Sequence, residues 1–178
     1  VLQVSKNDLE NAAESYSEAI KIRKQLAKKN PESYMPDVAD TLINIASLQH
    51  KKNDIANARK AYRDALEIYS RLASVNSNIY LPNVASIIFK SAQLEHDRNE
   101  NTKAKRDYEE SLKIYRQLAA ENPETYLHDL ANVLNNIGVF QISINELVNA
   151  EKNFYDALEI YVQLANVNPK DYLYDLAC

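Results

Sequence analysis

Several columns of residues 46 positions apart in this chain are the same or nearly the same. Tyr34, Tyr80, Tyr126 and Tyr172 keep that interval, as do Asn30, Asn76, Asn122 and Asn168, and Ile22, Ile68, Ile114 and Ile160. An aromatic column runs through Tyr16, Tyr62, Tyr108 and Phe154, and Leu26-Ala27 recurs as Leu72-Ala73, Leu118-Ala119 and Leu164-Ala165. No insertion interrupts the period. A chain built this way has no single core to close around. Each unit is one supersecondary element that buries its apolar face on its neighbours. The spacing predicts one solenoid of nearly four copies: a partial unit over 1–35, then 36–81, 82–127 and 128–173, with the start of a further helix at 174–178.

Glycine usage decides what the unit is made of. One Gly and five Pro in 178 residues leave almost no material for β-hairpins, a phosphate-cradling loop or a dinucleotide fingerprint, all of which need cheap positive φ. Helices with short polar links remain. Apolar residues at 46% can supply the packing, and charged residues at 26% the solvated faces. No apolar run approaches the ~18 residues of a membrane span. The net charge of −4 comes from interspersed acids and bases, without the concentrated basic face of a nucleic-acid binder. Cys178 is the only cysteine, so no internal disulfide framework exists, which favours a reducing, cytoplasmic setting. The opening Val1-Leu2-Gln3 has neither an initiator Met nor a signal-peptide pattern, and the chain reads as a fragment.

Each unit reads as a pair of helices. Leu42, Ile45, Ala46 and Gln49 follow the spacing of an amphipathic helix, with Pro36 at its start, where a missing N–H is harmless. First-type helices are expected over about 36–51, 82–97 and 128–143. A longer second-type helix carries Ile55, Ala58, Tyr62, Ala65, Leu66, Tyr69 and Leu72 on one stripe. Helices of this type are expected over about 8–29, 54–75, 100–121 and 146–167. Asn30, Asn76 and Asn122 are expected to end them in the left-handed conformation. In the first of them Asp8, Glu10, Glu14 and Glu18 precede Lys21, Arg23, Lys24, Lys28 and Lys29, the order the helix dipole favours.

Leu42, Ile45, Ala46, Asn53, Ile55, Ala58, Tyr62 and Ala65 resemble the signature of the tetratricopeptide repeat. So do Ile88, Ser91, Ala92, Asn99, Ala104, Tyr108 and Ser111, and Leu134, Ile137, Gly138, Asn145, Leu147, Ala150, Phe154 and Ala157. The long period, with Leu134-Asn135-Asn136-Ile137 and Ala157-Leu158-Glu159-Ile160, is similar to the kinesin-light-chain variety. The extra length is expected between helices, around Asn122 to Leu127. The resemblance implies an all-α fold, an open right-handed α-solenoid of antiparallel helix pairs. It also implies that Gly138 stands where a small residue lets helices approach. Ala at 138 is expected to be tolerated, and Leu to overpack by ~1–3 kcal/mol.

A second row on each first-type helix lies roughly opposite the apolar one, and in the family it lines the concave face. On the first it carries Asp40, Ile43, Asn44, Ser47, His50 and Lys51. On the next it carries Ser86, Phe89, Lys90, Gln93, His96 and Asp97, and on the third Asn132, Asn135, Asn136, Val139, Ile142 and Ser143. Amides can donate to and accept from a peptide backbone, and Ile43 and Phe89 can anchor an apolar side chain. The resemblance implies peptide binding for Asn44 and Asn136 in particular; Lys90 interrupts the amide column. The expected function is a protein–protein interaction scaffold that binds an extended peptide or partner segment. The alternative is a structural spacer or self-assembling array with no specific groove ligand.

Chemistry is sparse. His50 and His96 share a register, but two imidazoles fall short of the four ligands zinc prefers. The recurring tyrosines sit at core positions, and carboxylate pairs such as Glu109-Glu110 lie on a helix surface. No enzymatic activity, catalytic residue, metal or cofactor is expected. The partner is expected to be a protein or peptide, neither a nucleic acid nor an inserted membrane. Without polar capping helices, Leu158, Tyr161 and Leu164 at one end, and Leu9, Ala12 and Tyr16 at the other, are expected to be partly uncovered. Such ends can support head-to-tail self-association.

Overall fold

In the computed structural model residues 6–167 are described, and they form seven α-helices with no strand among them. These are α1 (Lys6–Lys29), α2 (Pro31–Lys51), α3 (Ile55–Val75), α4 (Ser77–Asp97), α5 (Asn101–Glu121), α6 (Pro123–Ser143) and α7 (Leu147–Val167). The second-type helices α1, α3, α5 and α7 match the sequence expectation to within two residues. The expectations for Asn168, Tyr172, Cys178 and the further helix at 174–178 lie outside the described residues, as do those for Val1 to Ser5.

The first-type helices depart from expectation. They begin five residues early, at Pro31, Ser77 and Pro123. Pro36 is therefore not at a helix start but inside α2, and Pro82 is inside α4. The segment Asn122 to Leu127, expected between helices, is the beginning of α6. The true start signal is Asn-Pro: Asn30 and Asn122 cap α2 and α6, with Pro31 and Pro123 in the first turn, where the absent N–H would have had no partner. The side-chain oxygen of Asn30 accepts from the Ser33 N–H at 3.3 Å, and that of Asn122 from the Thr125 N–H at 3.2 Å. Further in, Pro36 removes only the bond to the carbonyl of Glu32, an exposed residue, so water can replace it.

These cap asparagines are not left-handed either. Asn30, Asn76 and Asn122 have φ near −140°, each a one-residue link between two helices. The left-handed asparagines are Asn53, Asn99 and Asn145, at φ of 59°, 58° and 61°. They sit in the three-residue turns joining α2 to α3, α4 to α5 and α6 to α7. Asn tolerates that region better than other non-glycine residues, which is how a chain with one glycine makes its turns.

Links of one to three residues force consecutive helices to pack antiparallel, the packing of an α-solenoid. Contacts divide the chain into two compact units, Val1–Leu94 and Glu95–Cys178, so the division falls within α4. In the first unit α2 packs on both α1 and α3. Its core sets Val38, Ala39, Leu42, Ala46 and Leu48 of α2 against Ala58, Tyr62, Ala65 and Tyr69 of α3. In the second unit α6 packs on both α5 and α7, with Leu130, Ala131, Leu134, Ile137 and Phe140 buried on α6. Being held on two sides, a first-type helix buries more than the single stripe read from its sequence. Thr41, Ile87 and Val133, and the column Leu48, Leu94 and Phe140, are all buried. Ala39, Ala85 and Ala131 are wholly inaccessible, as small residues at a close helix contact must be. No helix among the described residues is long and apolar enough to cross a membrane.

Candidate interaction surface

Burial on both flanks leaves one open row along each first-type helix, and the candidate residues fall on it. In the first unit Asn44 is exposed, while Ile43, Ser47 and His50 on α2 and Phe89, Lys90 and Gln93 on α4 are half-buried. In the second unit Asn135 on α6 is exposed, Asn136 is half-buried, and Val139 and Ile142 are each 52% exposed.

Several of these groups already have internal work. Ser47 Oγ shares a hydrogen bond of 3.1 Å with the Tyr62 hydroxyl. Asn136 donates from Nδ2 to the Asn132 carbonyl at 2.7 Å, one turn back on its own helix. His96 stands edge-on to Phe140, ring centroids 5.0 Å apart, and its Nε2 lies 3.0 Å from Ser143 Oγ. Its ring is thus part of the packing at the start of the second unit. His50 belongs to the first unit and His96 to the second. Among the described residues no cluster of three His, Cys, Asp or Glu is placed to hold a metal ion.

Sequence reasoning missed a recurring tie beneath this row. The Tyr69 hydroxyl donates to Asp40 Oδ1 at 2.5 Å, and the Tyr161 hydroxyl to Asn132 Oδ1 at 2.7 Å. In both, the tyrosine of a second-type helix holds the acceptor 29 residues earlier on the preceding first-type helix. Asp40 and Asn132, placed by sequence on the ligand-facing row, are thus fastened to the scaffold. The signal was available: Tyr69, Tyr115 and Tyr161 also recur at the repeat interval. Burial first, then the Asp40 hydrogen bond and charge, raises the Tyr69 hydroxyl well above the usual tyrosine range.

The arrangement pairs the Ser143 hydroxyl with His96 and also with the Phe140 carbonyl, at 2.6 Å. It is a framework of paired helices that carries amides and a few apolar groups on open rows. A family described as "Uncharacterized protein conserved in bacteria (DUF2225)" matches residues 4–136, most of the chain. The chain belongs to this family. Among solved structures it is similar to BtubC (BKLC) from P. vanneervenii, with a TM-score of 0.68 and 25% sequence identity. That likeness covers 88% of this chain and 58% of the other, so the chain spans little more than half the length of that structure. No curated protein matches. The structural likeness supports a helical-repeat fold of the tetratricopeptide-like kind.

Proposed function

We propose that the chain is a protein-interaction scaffold whose first-type helices hold an extended peptide or partner segment along their open rows. The observation that carries this reading is the contrast on α2 and α6. Both flanks of each helix are buried, while the row bearing Asn44 on one and Asn135 and Asn136 on the other stays accessible. A rigid helix that presents amides can bond a peptide backbone with little sequence demand. Ile43 and Phe89 in the first unit, and Val139 and Ile142 in the second, supply apolar contact beside the amides. Lys90 adds a cation to the candidate row in the first unit, with Lys51 peripheral to it, too little for capture of a terminal carboxylate by a basic clamp. The likeness to a helical-repeat protein supports a general interaction role. The 46-residue period favours the kinesin-light-chain variety of the repeat, and the lack of cysteine pairs favours a cytoplasmic setting.

An array of overlapping peptides probed with the 178-residue chain tests the reading. Captured peptides are expected to lose affinity on Asn44→Ala or Asn136→Ala, with helicity and melting unchanged. Peptides that bind the variants as tightly as the parent chain would place binding elsewhere. An array that captures nothing favours the spacer reading.

A further inference from the structure

Helix α7 differs from its three sisters along one row. Val148, Tyr155 and Val162, seven residues apart, are 80%, 64% and 43% exposed. The matching positions hold Glu10, Ser17 and Lys24 on α1, Ala56, Arg63 and Ser70 on α3, and Thr102, Glu109 and Arg116 on α5. Eight of those nine are polar. The seam is these three residues at coiled-coil spacing; Leu158 beside it belongs to a different column, Ile20, Leu66 and Leu112, which is apolar and half-buried in every earlier sister helix.

This row is not a joint of the repeat. α3 is followed by α4, and Ala56, Arg63 and Ser70 remain exposed. α5 is followed by a whole further pair, and Thr102, Glu109 and Arg116 remain exposed too. Adding another repeat after α7, or stacking the α1 end of a second copy there, therefore leaves the seam open. Contiguous exposed apolar groups of this kind mark an interface.

We propose that α7 pairs antiparallel with α7 of a second copy, about a two-fold axis near Tyr155. Charge at the edge of the seam selects this occupant. Lys152 and Glu159 lie seven residues apart beside the row, both exposed and neither in an ion pair among the described residues. An antiparallel two-fold sets Lys152 of each copy against Glu159 of the other, Val148 against Val162, and Tyr155 against itself. The surface is self-complementary in charge and in size, as an isologous contact requires.

Sedimentation of the 178-residue chain over a wide concentration range is expected to show a reversible dimer that grows no further. Tyr155→Glu, and Lys152→Glu or Glu159→Lys singly, are each expected to weaken it by about tenfold or more, with helicity and melting retained. The double exchange of Lys152→Glu with Glu159→Lys should restore it. With Cys178→Ser as background, Tyr155→Cys should oxidise to a covalent dimer, and Arg63→Cys should not. A monomer at every concentration, growth beyond a dimer through head-to-tail contacts, or failure of the double exchange to recover would each overturn the proposal. None of these outcomes depends on whether the first-type helices bind peptide.

Discussion

The ring of Phe154 stands where a side chain on residue 138 would begin. A Cβ built on Gly138 would lie 2.7 Å from the Cε1 and Cζ atoms of that ring. In the first unit the same two columns hold Ala46 and Tyr62, both buried, and the tyrosine hydroxyl is tied to Ser47. Phe154 has no hydroxyl, and Val139 stands where Ser47 does, so nothing polar holds the ring away from the glycine.

Gly138→Ala is therefore not the free substitution that helix propensity implies. Ala gains about 1 kcal/mol over Gly in a helix, and overpacking opposes it by ~1–3 kcal/mol. Phe154 is only half-buried and can swing outward, which keeps the penalty near the lower end. We expect the two to cancel to a net change near zero, within about 0.5 kcal/mol. In a Phe154→Ala background the same change should stabilise by about 0.5–1 kcal/mol. Urea melts of the four variants measure this, and equal effects in both backgrounds would mean the ring is not the obstacle.

Tyr62, Tyr69 and Tyr108 are buried, and burial raises the hydroxyl of each above the usual tyrosine range. A raised folded-state pKa means that the unfolded chain ionises first. The stability from each hydroxyl is whole below pH ~10 and falls by up to about 1.4 kcal/mol per pH unit above it, until its own folded pKa is reached. The melting temperature should drop steeply above pH ~10, and Tyr69→Phe should make that drop shallower. At neutral pH, Tyr69→Phe should cost about 1 kcal/mol for the lost bond to Asp40. An alkaline melting series that is identical for the two proteins would count against this assignment.

The turn asparagines at positive φ predict a sign reversal between two small residues. Asn53→Ala and Asn145→Ala should each destabilise by about 1 kcal/mol, because a Cβ without a local hydrogen bond is disfavoured there. Asn53→Gly and Asn145→Gly should be neutral or better. Thermal melts that rank Ala above Gly at these positions would contradict the backbone geometry.

The cap asparagines behave differently because their φ is negative. Asn122→Ala should lose the bond to the Thr125 N–H and cost about 1 kcal/mol, and Asn122→Gly only a few tenths. Hydrogen exchange should show the first turn of α6 opening more readily in Asn122→Ala. An unchanged rate at Thr125 would argue that water replaces the cap without penalty.

Periodicity is a local property, so the sequence by itself determined the helical nature of the chain and the second-type helices nearly to the residue. Tyr62, Ala65 and Tyr69 share a face whatever surrounds them. Where the first-type helices begin was decided by the fold. Pro36 and Pro82 look like boundaries, yet each helix begins before its proline because an Asn cap or link six residues earlier gives the chain a start. Which sides of those helices are buried was also a tertiary decision. Thr41, Leu48 and Phe140 carry no mark of a second buried flank until α2 and α6 are each held between two neighbours. The rest of the candidate surface depended on contacts between helices that no spacing rule supplies. Tyr69 on Asp40, His96 against Phe140 and Phe154 over Gly138 arise because side chains from different helices compete for the same space and the same hydrogen bonds.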